Sequence, residues 1–213
     1  MLKHSISVVA FLIGFVFSTL TAASTYDDML RAIEIDDQRS VAELLKRGVD
    51  VDSVNAKGES LLMLAVRSGK TAVVKTILAA RPKINARNAY GETAVMLAAI
   101  NGRAEIARML LDGGAEVNHS GWTPLMYAAT NNHIDVARLL LARGAQVNAT
   151  AQNGTSALMM ASRGGHLAMV LLLLEHGADV NYTSAFGYNA LNTALDRGRR
   201  EVAEVLIRAG ARR

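Results

Sequence analysis

The chain has no cysteine. That removes thiol nucleophiles, disulfides and Cys-based zinc, haem or iron–sulfur sites. Methionine, histidine and carboxylate remain as groups that could ligate or move protons. Met63, Met96, Met126 and Met159, followed by Asn192, recur at one position of a regular pattern. A column of thioethers could serve as a soft-metal or redox device. The sulfurs would have to converge on one ion at about 2.3 Å, whereas packed helices lie roughly 8–10 Å apart. Adaptable core packing therefore accounts better for the column. His119, His133, His166 and His176 show no metal-site spacing. His133 and His166 share one helix-start position and are read as structural. Glu105 and Asp135 fall where solvent is expected. There is no phosphate-binding Gly-rich loop, no Gly-x-Ser-x-Gly elbow and no nucleophile patterned beside a base. No catalytic, cofactor or metal site is expected, and the chain is not expected to be an enzyme.

The elements that position these residues are repeated. Gly58, Gly91, Gly121, Gly154 and Gly187 are spaced 33, 30, 33 and 33 residues apart. Leu44-Leu45, Ile77-Leu78, Leu110-Leu111, Leu140-Leu141, Leu173-Leu174 and Leu206-Ile207 keep that period, as do Asp52, Asn85, Asn118, Asn148 and Asn181. Agreement of independent markers, including the one short step, marks a true repeat. Ser60, Thr93, Thr123, Ser156 and Asn189 stand where a side-chain oxygen can cap a helix, with Pro124 at a first helical position. The first helix of each unit should stop near Gly69, Gly102, Asn132, Gly165 and Gly198, and the second at Gly48, Gly114, Gly144, Gly177 and Gly210. Arg81-Pro82 replaces the Gly-Ala of that last position. Arginine disfavours the left-handed conformation, so the loop there is expected to differ. One unit cannot bury its own apolar face, so stacking must build the core.

Gly121-Trp122-Thr123-Pro124-Leu125-Met126-Tyr127-Ala128-Ala129 and Leu139-Leu140-Leu141-Ala142-Arg143-Gly144-Ala145-Gln146-Val147-Asn148 resemble the two halves of the ankyrin repeat. The likeness runs from about Tyr26 to Arg213. It implies an all-α solenoid of about six stacked helix–turn–helix units with short β-hairpin fingers. The units are about 24–52 as an N-terminal cap, 53–85, 86–118, 119–148, 149–181, and 182–213 as a C-terminal cap. The methionine column departs from the family, which usually has histidine there.

In this fold, partners usually bind through finger tips and the exposed side of the first helices. Carried over by register, the partner-binding set is Tyr90, Glu92, Ile100, Asn101, Trp122, Thr130, Asn131, Thr155, Arg163, Phe186, Tyr188 and Arg197. Lys57, Glu59, Arg67 and Asn153 lie in the same register. Four of these residues, Tyr90, Trp122, Phe186 and Tyr188, are aromatic, and aromatics and arginine dominate interface energetics. They could equally brace the hairpins. The finger from Asn118 to Gly121 is three residues short. Trp122 either packs over that gap or offers the notch beside it to a partner.

Residues 1–23 resemble a secretory signal peptide. Lys3 precedes Ile6–Leu20, fifteen residues without a charge, and Thr21-Ala22-Ala23-Ser24 offers cleavage between Ala23 and Ser24. Fifteen residues rise about 22 Å as a helix, against roughly 30 Å of hydrocarbon. Cleavage removes one base and no acid, so the charge falls from +4 to +3. That is too low to favour nucleic acid. The basic end, Arg197 to Arg213, is offset by Asp196, Glu201 and Glu204 and is read as a solvated cap.

Resemblance to small exported bacterial ankyrin proteins implies a periplasmic binding module, or alternatively a secreted one. It would be a monomer when free and need no cofactor. Its partner would be an exported enzyme or toxin held on a concave face, so the module would act as an inhibitor, immunity or assembly factor. Two alternatives stay open. One is support of catalase function in oxidative-stress defence. The other is a membrane-tethered scaffold with an uncleaved anchor.

Overall fold

The computed structural model describes residues 25–212. The expected signal peptide and its cleavage point at Ala23 and Ser24 lie outside the described residues. Twelve helices and no strand occur among the described residues. None of these helices is long and apolar enough to cross a membrane. The fold class is all-α, built of helix–turn–helix repeats. The residues fall into two compact units that meet in sequence at Pro82 and Lys83.

The first unit holds α1 (25–34), α2 (Gln38–Lys46), α3 (Leu61–Ser68) and α4 (Thr71–Ala79). Ser60 caps α3 by accepting the Met63 N–H at 3.3 Å. Gly69 ends the helix in the left-handed conformation, φ 71°. Leu61, Met63, Val66, Val74 and Ile77 are buried as its core. The loop at Arg81-Pro82 keeps the left-handed turn of the other helix stops and differs from them by one hydrogen bond. Arg81 takes the left-handed conformation at φ 56°. Its N–H donates to the Leu78 carbonyl at 3.0 Å, just as Gly48 N–H donates to Leu45. After Gly48, the Val49 N–H also bonds back to Leu44. Pro82 has no N–H to do the same. The helix-end geometry is evidently favourable enough to outweigh the arginine penalty of about 1 kcal/mol or more.

The second unit holds α5 (Ala94–Ile100), α6 (Ala104–Asp112), α7 (Pro124–Thr130), α8 (Ile134–Ala142), α9 (Ala157–Gly164), α10 (Leu167–Glu175), α11 (Ala190–Asp196) and α12 (Arg200–Arg208). The first helices α5, α7, α9 and α11 pack side by side, as do the second helices α6, α8, α10 and α12. Thr93, Thr123, Ser156 and Asn189 cap the first helices as their positions predict. Ala98, Ala128, Ala161 and Ala194 are fully buried along the first row, and their small side chains allow close approach. Leu110, Leu140, Leu173 and Leu206 are fully buried along the second, each contributing about 1.5–3 kcal/mol. The methionine column is core. Met96, Met126 and Met159 are 2%, 0% and 5% exposed. The Met96 sulfur also accepts the Thr93 N–H at 3.5 Å.

Polar ties join successive repeats. Asn118 accepts the Gln146 N–H at 2.9 Å and donates to the Gly144 carbonyl at 3.0 Å. Asn148 does the same with Asp179 and Gly177, and Asn181 with Arg212 and Gly210. The repeated asparagine is therefore a ladder that reaches one repeat ahead. His133 and His166 reach one repeat back, Nε2 lying 3.0 Å from the Ile100 carbonyl and 3.1 Å from that of Thr130. Arg199 continues that column with a bond to the Arg163 carbonyl. The fingers are tight turns rather than strands. Only isolated bridges, Val54 with Ser60 and Thr150 with Ser156, mark hairpin pairing among the described residues.

Candidate binding face of the second unit

All twelve residues assigned to partner binding lie in the second unit, so their setting can be built from its fingers. In the first finger Asn88 accepts N–H groups from Tyr90 and Glu92 at 3.0 and 2.9 Å. Its own N–H closes the turn onto the Glu92 carbonyl. That pins Tyr90 at a tip, where it is 71% exposed. The last finger closes in the same way from Ser184 to Tyr188. Phe186 and Tyr188 stand out from it at 73% and 53% exposure. The Ala151 finger closes onto Thr155, with Asn153 accepting the Thr155 N–H.

The shortened finger carries no such closure. Its covered side chain is His119, 2% exposed. Nδ1 lies 3.2 Å from the Arg87 guanidinium and Nε2 lies 3.0 Å from the Glu116 carbonyl. A guanidinium only donates and a carbonyl only accepts, so the ring is neutral with its proton on Nε2. Burial first, and the charge of Arg87 second, push the His119 pKa below its ordinary value. Trp122 stands beside this finger with its ring tilted 37° to that of Tyr127, centroids 5.1 Å apart. It packs on an aromatic neighbour and also lines an opening.

Two clefts open on this face. One, of about 420 Å³, is lined by Tyr90, Trp122 and Tyr127 with Arg87, Met96 and Asn153. The other, of about 390 Å³, brings together Thr155, Arg163, Phe186, Tyr188 and Arg197 over Met159 and Met160. Seven of the twelve assigned residues thus gather in two clefts, with Asn153 at the edge of both.

The other five are differently employed. Glu92 accepts from Asn88 at 2.9 Å. Its charge, after burial, helps push the Tyr127 hydroxyl pKa up. Ile100 is half-buried and gives its carbonyl to His133. The side chains of Asn101, Thr130 and Asn131 donate back to the carbonyls of Leu97, Met126 and Tyr127. They finish helices α5 and α7 and have less to offer a partner. In the first unit Glu59 is buried, held by Arg67 and by Asn55 at 2.8 Å, which is an internal pair.

Sequence reasoning missed Tyr127, Met159 and Met160. Tyr127, Met160 and Thr193 share one register position with Leu97, and that position turns toward the clefts. The change from Leu97 to Tyr127 along it was the available signal.

The arrangement offers shaped apolar floors, exposed aromatics and cationic rims, which suits recognition. No group of three or more His, Asp or Glu able to hold a metal occurs among the described residues. The family model for ankyrin repeats, in three copies, matches residues 29–120, 62–151 and 143–212. No curated protein matches the sequence. Ankyrin repeat proteins are in general non-catalytic binding modules that recognise other proteins. The matched stretches overlap across nearly all the described residues, in the same register as the caps, left-handed glycines and asparagine ladder above, and the chain belongs to the ankyrin repeat family.

Proposed function

We propose that this protein–protein interaction module is exported, and that it holds one protein partner on the finger and first-helix face of residues 83–213 without catalysing a reaction. The carrying observation is that Tyr90, Phe186 and Tyr188, each more than half exposed, stand around two clefts on one face. Exposed aromatics grouped around clefts, unlike apolar residues scattered singly, mark interaction sites. Export is supported by the uncharged run Ile6–Leu20 followed by small residues at Ala22-Ala23-Ser24, and by the lack of cysteine. The periplasm is the compartment that fits this best. There the partner would be an exported enzyme or toxin, restrained, protected or assembled by the module.

Co-purification from the exported fraction tests this. The wild-type chain should bring down one protein in stoichiometric amount. Trp122→Ala with Tyr188→Ala should lose it while the helical circular dichroism stays the same. Retention of the partner by that double variant would place the interface elsewhere. N-terminal sequencing of the exported protein should begin at Ser24; an intact Met1 end would favour a tethered scaffold.

A further inference from the structure

The cleft between the last two fingers has a charge logic that the other cleft lacks. Arg163 closes α9 and Arg197 follows α11, and both line the opening. Neither guanidinium has a hydrogen-bond or ion-pair partner among the described residues, although Asp196 lies in the same cleft. The amide N–H₂ of Asn153 is unpaired too, because only its oxygen is engaged. The Thr193 hydroxyl donates to the Asn189 carbonyl, and the Ser184 oxygen accepts the Tyr188 N–H. What the cleft leaves unsatisfied is therefore mostly donors, with Asp196 the one acidic group. Beneath them Met159 and Met160 form a thioether floor, 5% and 8% exposed.

An occupant that fits must supply acceptors and negative charge at the rim and an apolar group at the floor. Arginine pairs with carboxylates in bidentate geometry. Methionine adapts to aliphatic or aromatic side chains. A cleft of about 390 Å³ takes one or two side chains. We infer that this cleft is an acid-recognition subsite, seating an Asp or Glu of the partner between Arg163 and Arg197 with the partner's adjacent large apolar residue against Met159 and Met160. The inference rests on the binding role proposed above and specifies the chemistry of the segment bound there. A membrane headgroup would also meet the arginines. It would leave the methionine floor and the aromatic wall unused, which favours a protein segment.

Panning of a phage-displayed random dodecapeptide library against the full chain gives the test. Enriched peptides should carry Asp or Glu next to a large apolar residue. Synthetic copies should bind Arg163→Ala/Arg197→Ala about tenfold or more weakly, and Trp122→Ala nearly as well as wild type. Both arginines are exposed and their side chains bear no internal bond, so the fold should persist, checked by circular dichroism. Enriched peptides without an acid, or acidic peptides indifferent to the arginine pair, overturn the subsite. If those same peptides are lost with Trp122→Ala, the binding role stands and only the subsite falls. Failure of any sequence to enrich counts against both. Vesicles of phosphatidylglycerol and phosphatidylcholine should not sediment the chain; arginine-dependent sedimentation would reassign the cleft to lipid.

Discussion

His119 shows how one side chain turns a deletion into a local design. With three residues missing, its finger has no backbone closure, and the ring supplies the covered surface instead. The ring is held neutral by accepting from Arg87, so protonation must break that bond and place a cation beside a guanidinium. The folded pKa lies below the ordinary value near 6.5. Stability from this group is then complete above about pH 6.5 and is lost as pH falls through the folded pKa. Thermal midpoints of the wild type should fall over that interval more steeply than those of His119→Gln; parallel curves would show that His119 is not the titrating group. Arg81 is a second case. It pays for a left-handed conformation that glycine adopts freely at Gly48, Gly114 and Gly144. Arg81→Gly should therefore gain about 0.5–1 kcal/mol, the relieved strain less the added freedom of the unfolded chain. Urea denaturation measures it, and a loss would mean that the Arg81 side chain contributes binding energy of its own.

The interesting physics of the elements lies at their ends. Gly102 and Gly114 both terminate helices with positive φ, 65° and 92°. A Cβ on Gly114 meets open space, whereas on Gly102 it comes within 2.6 Å of the His133 ring. That ring is tethered to the Ile100 carbonyl and cannot move away without breaking the tie. Gly102→Ala should cost about 2–3 kcal/mol, against about 1 kcal/mol for Gly114→Ala. Equal costs would deny the histidine tie any energetic role. The asparagine ladder is comparable. Asn148→Ala removes two bonds to the following repeat and should cost about 1–2 kcal/mol. The loss should appear as faster amide exchange around Asp179 as well as a lower midpoint. Cap residues, helix stops and the asparagine period were legible beforehand because each is a local rule with a steric or hydrogen-bond cause. The fingers were less so. Strand pairing depends on how far two short segments run together, and here they turn back after a single bond.

At the scale of the molecule, each repeat is stable only because the next one covers it, so the end must be treated differently. In α12, Arg200, Val205 and Ile207 are more exposed than Leu167, Leu172 and Leu174 at the same register positions of α10, Ile207 reaching 55%. Arg200→Leu would enlarge that apolar surface and should produce concentration-dependent dimers in light scattering; a strict monomer would show that the surface is already adequately screened.

Period, helix type, caps and the buried leucine and alanine columns were fixed by the order of residues alone, because a chain with a 33-residue repeat and one apolar side per unit has no other way to remove that side from water. Which polar residues of the exposed register stay free was settled only by folding. Asn101 and Asn131 turn back onto their own helices, Tyr127 packs against Trp122, and Arg163 and Arg197 line one cleft from two successive repeats. Sequence places a residue on a face, but competing hydrogen-bond acceptors within a few ångströms decide whether its side chain is spent internally or left for a partner.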